Sequence, residues 1–224
     1  MFKHTNKILD KSVKAIDGNI GFIRELYFDI NDLILRYLLV DMENWLTDRK
    51  ILITPESFRS INWDQGEITI NLKRADIENS PIIRLDEPVT RAHEKQLREF
   101  YKFPFYWSSQ DEVETGSYLI SEEEFRMVDV QLIDGKLGKV QDVIVDDDTW
   151  KIKFIIVDAD AIEVGRRTPI PSDWLDRIDH EANTVYVDLK MENVETAPQF
   201  PVEEYEDERN IKALYDYYSR PRYW

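Results

Sequence analysis

Asp17-Gly18-Asn19-Ile20-Gly21-Phe22-Ile23 returns later in the chain as Asp134-Gly135-Lys136-Leu137-Gly138-Lys139-Val140. The offset is 134 − 17 = 117 residues, and it runs without a gap through Asp29/Asp146, Val40-Asp41/Val157-Asp158, Arg49/Arg166, Ile53/Ile170 and Leu72-Lys73/Leu189-Lys190. It reaches the aromatic ends, where Tyr101, Pro104, Tyr106 and Trp107 match Tyr218, Pro221, Tyr223 and Trp224. Over 13–107 against 130–224, 22 of 95 positions are identical, where ordinary composition gives about six. Ile20/Leu137, Ile23/Val140, Tyr37/Phe154 and Ile68/Val185 keep apolar character as well. The 224 residues therefore read as a duplicated domain: repeat one over 1–107, a small, polar and acidic linker over 108–120, and repeat two over 121–224. The first dozen residues fall outside the scheme.

Inside a repeat the apolar period is close to two, with β-branched and aromatic enrichment, which predicts short strands. Asp17-Gly18 and Asp134-Gly135 read as tight hairpin turns in which glycine supplies a positive φ. Leu35, Tyr37 and Leu39 alternate with Arg36, Leu38 and Val40, so one face of that strand is expected inside and the other wetter. The tracts Asp29-Ile30-Asn31-Asp32 and Asp146-Asp147-Asp148-Thr149 read as Asx-held turns, with a cation site as the competing reading because hard cations gather several oxygens. Asp64-Gln65-Gly66 closes a further hairpin. Each repeat then turns helical, over about Thr90 to Tyr101 and about Glu203 to Tyr218. The fold class expected is mainly β: two tandem small barrels, each followed by a helix and an aromatic tail.

Composition narrows the function. With 29 Lys+Arg against 45 Asp+Glu the formal charge is −16, which disfavours phosphate-rich partners, so no nucleic acid is expected. There is no cysteine, and the three histidines, His4, His93 and His180, share no ligand spacing, so no metal centre is expected. The 7 glycines form no phosphate loop or dinucleotide fingerprint, no serine sits in a nucleophile elbow, and no catalytic residue or cofactor is assigned. No run approaches the length of a membrane span, and a cytoplasmic location is the expectation. Asp41/Arg49 and Asp158/Arg166 share an eight-residue spacing that predicts an ion pair across a hairpin in each repeat. Asp17, Gly18, Gly21, Asp41, Asp134, Gly135, Gly138 and Asp158 are read as turn and strand-end residues. Tyr106, Trp107, Tyr223 and Trp224 are the candidate interaction residues, either folded back on the sheet or exposed as a contact patch.

The run Asp17-Gly18-x-Ile20-Gly21 with Leu26-x-Phe28-Asp29 and Arg36-Tyr37-Leu38-Leu39-Val40-Asp41 resembles the PRC-barrel family. Asp134-Gly135-Lys136-Leu137-Gly138-Lys139-Val140 with Phe154-Ile155-Ile156-Val157-Asp158 resembles it more closely. The endings Phe103-Pro104-Phe105-Tyr106-Trp107 and Arg220-Pro221-Arg222-Tyr223-Trp224 look like those of bacterial proteins with two such domains. The resemblance implies a small barrel that docks onto another macromolecule, as in the cytoplasmic part of the photosynthetic reaction centre H subunit or the barrel of a ribosome-maturation factor. It implies a non-enzymatic interaction or scaffolding module. The alternative is an adaptor of a membrane electron-transfer or photosynthetic complex, associated with the membrane through its partner. A duplicated unit also leaves a homodimer open.

Overall fold

A computed structural model of the chain describes residues 1–42, 50–81, 88–108 and 119–218. Its strands are β1 (Phe2–His4), β2 (Ser12–Ala15), β3 (Gly18–Asp29), β4 (Leu35–Asp41), β5 (Lys50–Ile53), β6 (Phe58–Asn62) and β7 (Glu67–Ile70), then β8 (Leu119–Ser121), β9 (Asp129–Leu132), β10 (Gly135–Asp146), β11 (Ile152–Asp158), β12 (Arg167–Pro171), β13 (Leu175–Asp179) and β14 (Thr184–Val187). The helices are α1 (Arg74–Glu78), α2 (Arg91–Tyr101), α3 (Glu122–Phe125), α4 (Met191–Glu195) and α5 (Glu208–Tyr217). Adding 117 to the bounds of β2, β3, β4, β6, β7 and α1 gives those of β9, β10, β11, β13, β14 and α4 to the residue.

The chain forms two units, Asn6–Glu122 and Met1–Thr5 with Glu123–Trp224. Each holds a seven-stranded mixed sheet. In the first the order is β5-β4-β3-β2-β7-β6, with β8 on β3; in the second it is β12-β11-β10-β9-β14-β13, with β1 on β10. Only β2–β7 and β9–β14 pair in parallel among the described strands. Among these strands neither hydrogen-bonded path returns on itself to close a ring.

The strands at the head of the two repeats are exchanged. Phe2, Lys3 and His4 pair with Asp146, Val145 and Ile144, whereas Leu119, Ile120 and Ser121 pair with Asp29, Phe28 and Tyr27. These are equivalent positions at the 117 offset, so each repeat's opening strand completes the other repeat's sheet. Phe2-Lys3-His4 shares no residue with Leu119-Ile120-Ser121, which is why identity placed the former outside the repeat and the latter around the linker's end.

Three local expectations change. The hairpins turn on Ile16-Asp17 and Ile133-Asp134, so Gly18 and Gly135 open the long strands, and Gly135 has no left-handed φ. In β4, Leu38, Leu39 and Val40 are all buried. The second face of that sheet is not wet, because Tyr37, Leu39 and Leu52 pack with Leu97 of α2 and Leu119 of β8, and a sheet covered on both sides reads as a continuous apolar run. Finally, α5 begins at Glu208, later than expected, where the Asp207 side chain caps it by accepting from the Arg209 amide. A 3₁₀ turn over Val202–Glu204 fills the residues before it.

Candidate functional site

The Asx reading of the acidic turns agrees with the geometry. Asp29 Oδ1 accepts from the Asn31 amide at 2.9 Å, and Asp146 Oδ1 from the Asp148 amide at 3.1 Å. Asp147 Oδ1 accepts from the Met1 amine at 2.6 Å. Asp17 and Asp134 act as structural ties, because their Oδ1 atoms accept the first amide of α1 and of α4, from Arg74 and Met191, each at 2.9 Å. The hairpin tip is thereby joined to the short helix that directly follows β7 in one repeat and β14 in the other.

The expected Asp158–Arg166 ion pair is not formed. Arg166, itself buried, sends Nη2 to the carbonyls of Val194 and Glu195 at 2.8 and 2.9 Å. These carbonyls lie in the last turn of α4, where carbonyls outnumber the helix's own amides, so a guanidinium is well matched to them. Asp41 lies 3.8 Å from Arg24 Nε, and its expected partner Arg49 lies outside the described residues. Tyr223 and Trp224 also lie outside them.

The described tail folds back on its own unit and meets a buried polar cluster. Tyr106 donates its hydroxyl to Glu94 Oε2 and accepts from Arg91 Nη1 at 2.7 Å; Arg91 Nη1 also donates to Glu94 Oε1 at 3.0 Å. Arg36 stacks its guanidinium 3.7 Å from the Tyr106 ring centre, and Arg91 lies 4.3 Å from that of Trp107. Arg98, only 1 % exposed, reaches Pro104 O at 2.7 Å and Glu56 Oε1 at 2.6 Å. Burial drives the Glu94 carboxyl above its ordinary range of 4.5, against the pull of Tyr106 and Arg91. Burial and the Glu94 charge likewise push the Tyr37 and Tyr106 phenols far up.

The second repeat builds the same place from apolar groups. Glu94, Arg98, Tyr37 and Ser57 correspond to Ile211, Tyr215, Phe154 and Trp174, which are buried. Tyr215 meets Phe154 edge-on at 5.9 Å and Trp174 at 5.4 Å. In repeat one Arg91, Glu94 and Tyr106 bond one another and Arg98 bonds the tail at Pro104, so buried polar contacts anchor the tail. Sequence reasoning missed it, although the signal was present as polar-for-apolar replacement between aligned repeats.

What both repeats leave outward is an isoleucine. Ile16 is 49 % exposed and Ile133 62 % exposed, at the same position of the same Asp-tied hairpin. Beside Ile133 a groove of about 770 Å³ runs along the outer face of β9, β14 and β13. Gln131, Tyr186 and Arg177 stand in register across it, with Arg177 stacked 3.8 Å from the Tyr186 ring centre. The matching row in repeat one is Lys14, Thr69 and Ser60. The apolar point is kept while its surroundings differ.

Among the described residues no helix is long and apolar enough to cross a membrane. No family model matches this sequence, and a search of curated proteins finds no significant match.

Proposed function

We propose that the protein is a non-enzymatic interaction module, built on duplicated small barrels of the PRC type, that binds a protein partner through the hairpin face of each repeat. The observation that carries this reading is the paired exposure of Ile16 and Ile133 on hairpins tied to α1 and α4 through Asp17 and Asp134. An apolar point with a polar surround is the anatomy of an interface centre. The groove beside Ile133 gives the second repeat the larger contact, in which the Arg177–Tyr186 stack supplies an aromatic and guanidinium rim. The partner surface complementary to it is apolar at its centre, with acceptors for Arg177.

The test is affinity capture from lysate of the source cells, soluble and membrane fractions kept apart, with the native protein and with Ile16→Asp/Ile133→Asp. Proteins held by the native chain and lost by the double variant support the reading. Equal recovery by both rejects it. A membrane electron-transfer complex in the membrane fraction would make the protein an adaptor of that complex.

A further inference from the structure

His4 in β1 is 3 % exposed, and both of its ring nitrogens face groups that only accept: Nδ1 lies 2.8 Å from Asp142 Oδ2 and Nε2 lies 3.1 Å from the Val202 carbonyl. A neutral imidazole carries one N–H and satisfies one of these contacts; the imidazolium carries two and satisfies both. The backbone amide of His4 donates to Glu206 Oε1 at 2.8 Å, and Thr5 Oγ1 donates to Asp142 Oδ1 at 2.6 Å. The ring thus ties three separate pieces of the unit: the exchanged strand β1, its pairing partner β10, and the 3₁₀ turn that begins at Val202.

We propose that His4, in its doubly protonated form, is a latch that locks the exchanged strand β1 onto β10, and that loss of its proton releases the strand and opens the β10 edge over residues 144–146. The charged groups facing His4 on β10 and on the 202–206 segment are Asp142 and Glu206, both acidic. On the same elements Lys139 lies 3.9 Å from Asp129, and Glu203 and Glu204 are exposed. Burial alone would lower the proton affinity of the ring, but the hydrogen bond and charge of Asp142, joined by Glu206, hold it above the ordinary 6.5. Asp142 is correspondingly held below its usual range: burial opposes this, and the bonds from His4 and Thr5 outweigh it. The grip of the latch is therefore complete below about pH 6.5 and is lost as pH rises through the higher folded value. The other exchanged strand has no such device, since Ser121 stands where His4 does and Glu25 where Asp142 does.

Two measurements on the full chain test this. Hydrogen exchange, read as protection factors for the peptide covering residues 2–8, is expected to fall at least tenfold between pH 6 and pH 9, while peptides in β8 hold steady. In His4→Gln the protection is expected to be low throughout and flat with pH. Carbon-detected titration of the His4 ring in the native protein is expected to show its proton held above the ordinary 6.5. A ring that titrates below the ordinary 6.5, or protection at residues 2–8 that ignores pH in the native chain, would overturn the proposal even if His4→Gln failed to fold.

Discussion

A Cβ on Gly138 would lie 1.6 Å from the carbonyl oxygen of Asp158, and Gly21 stands in the same relation to Asp41, at 1.9 Å. Long strands β3 and β10 approach the ends of β4 and β11 so closely there that only a hydrogen fits. The obstacle is main chain, which cannot swing aside as a side chain can. The glycine and the aspartate that recur together in both repeats are thus two sides of one contact, and the aspartate contributes through its backbone.

Gly138→Ala and Gly21→Ala are accordingly expected to destabilise by about 3 kcal/mol or more, by overpacking against backbone. Gly135→Ala meets only the Met191 methyl, at an ordinary 3.7 Å, and is expected to stay within about 1 kcal/mol of the native protein. Urea denaturation of the three variants separates them; a Gly138→Ala chain as stable as Gly135→Ala would rule out the close approach as the reason for the glycine.

Removing the hairpin ties is expected to cost less. Asp17→Ala and Asp134→Ala each leave the first amide of a short helix without its acceptor, a loss of about 1 kcal/mol on the scale of helix-capping groups. Thermal melts of the single variants, and of the double variant for additivity, check this.

Within the buried cluster the expected losses are larger. Tyr106→Phe removes the donor to Glu94 Oε2 and leaves that oxygen buried without the bond, at about 1–3 kcal/mol. Glu94→Ile, which copies the residue of the second repeat, strands Arg91 beside the tail and is expected to cost about 3–5 kcal/mol. The isoleucine is tolerated at 211 because Phe154, Tyr215 and Trp174 accompany it. Denaturant titration of both variants gives the values; a neutral Glu94→Ile would show that the cluster is not an interdependent set.

The same carboxyl gives a pH signature. Glu94 has an ordinary value of 4.5 and a higher one when folded. Between the two, the native chain keeps a proton that the unfolded chain has released, so this group makes stability fall as pH rises above about 4.5. Glu94→Gln has no such proton and is expected to flatten that limb in a series of denaturation curves from pH 4 to pH 8. An unchanged slope in the variant would assign the pH dependence to other groups.

Much of this fold was legible from residues at a fixed distance. Asp29/Asp146 and Gly21/Gly138 placed the strands and turns, because backbone-dictated positions keep their identity when a domain duplicates. The exchange of β1 and β8 was not legible, since three-residue strands that add by main-chain pairing place little demand on side chains, and Phe2-Lys3-His4 has diverged completely from Leu119-Ile120-Ser121. The wet face assigned to β4 failed for a tertiary reason: α2 and β8 cover it. Of the candidate site, the tail residues Tyr106 and Trp107 were singled out, but the partners that hold them, Glu94 and Arg91, are charged residues on a helix, and charge alone predicts exposure. Ile16 and Ile133 were hidden for the opposite reason, because an apolar residue in a β-rich sequence is first read as core.

Ile133 is the centre of the proposed binding face, so the most direct measurement is titration calorimetry of the captured partner against the native chain, Ile133→Asp and Val164→Asp. Val164, 89 % exposed on the loop before β12, is the control for an apolar-to-acidic change elsewhere on the same unit. Ile133→Asp is expected to weaken binding at least tenfold, about 1.4 kcal/mol, while Val164→Asp leaves it unchanged. Equal affinity of all three chains would contradict the hairpin face as the binding surface.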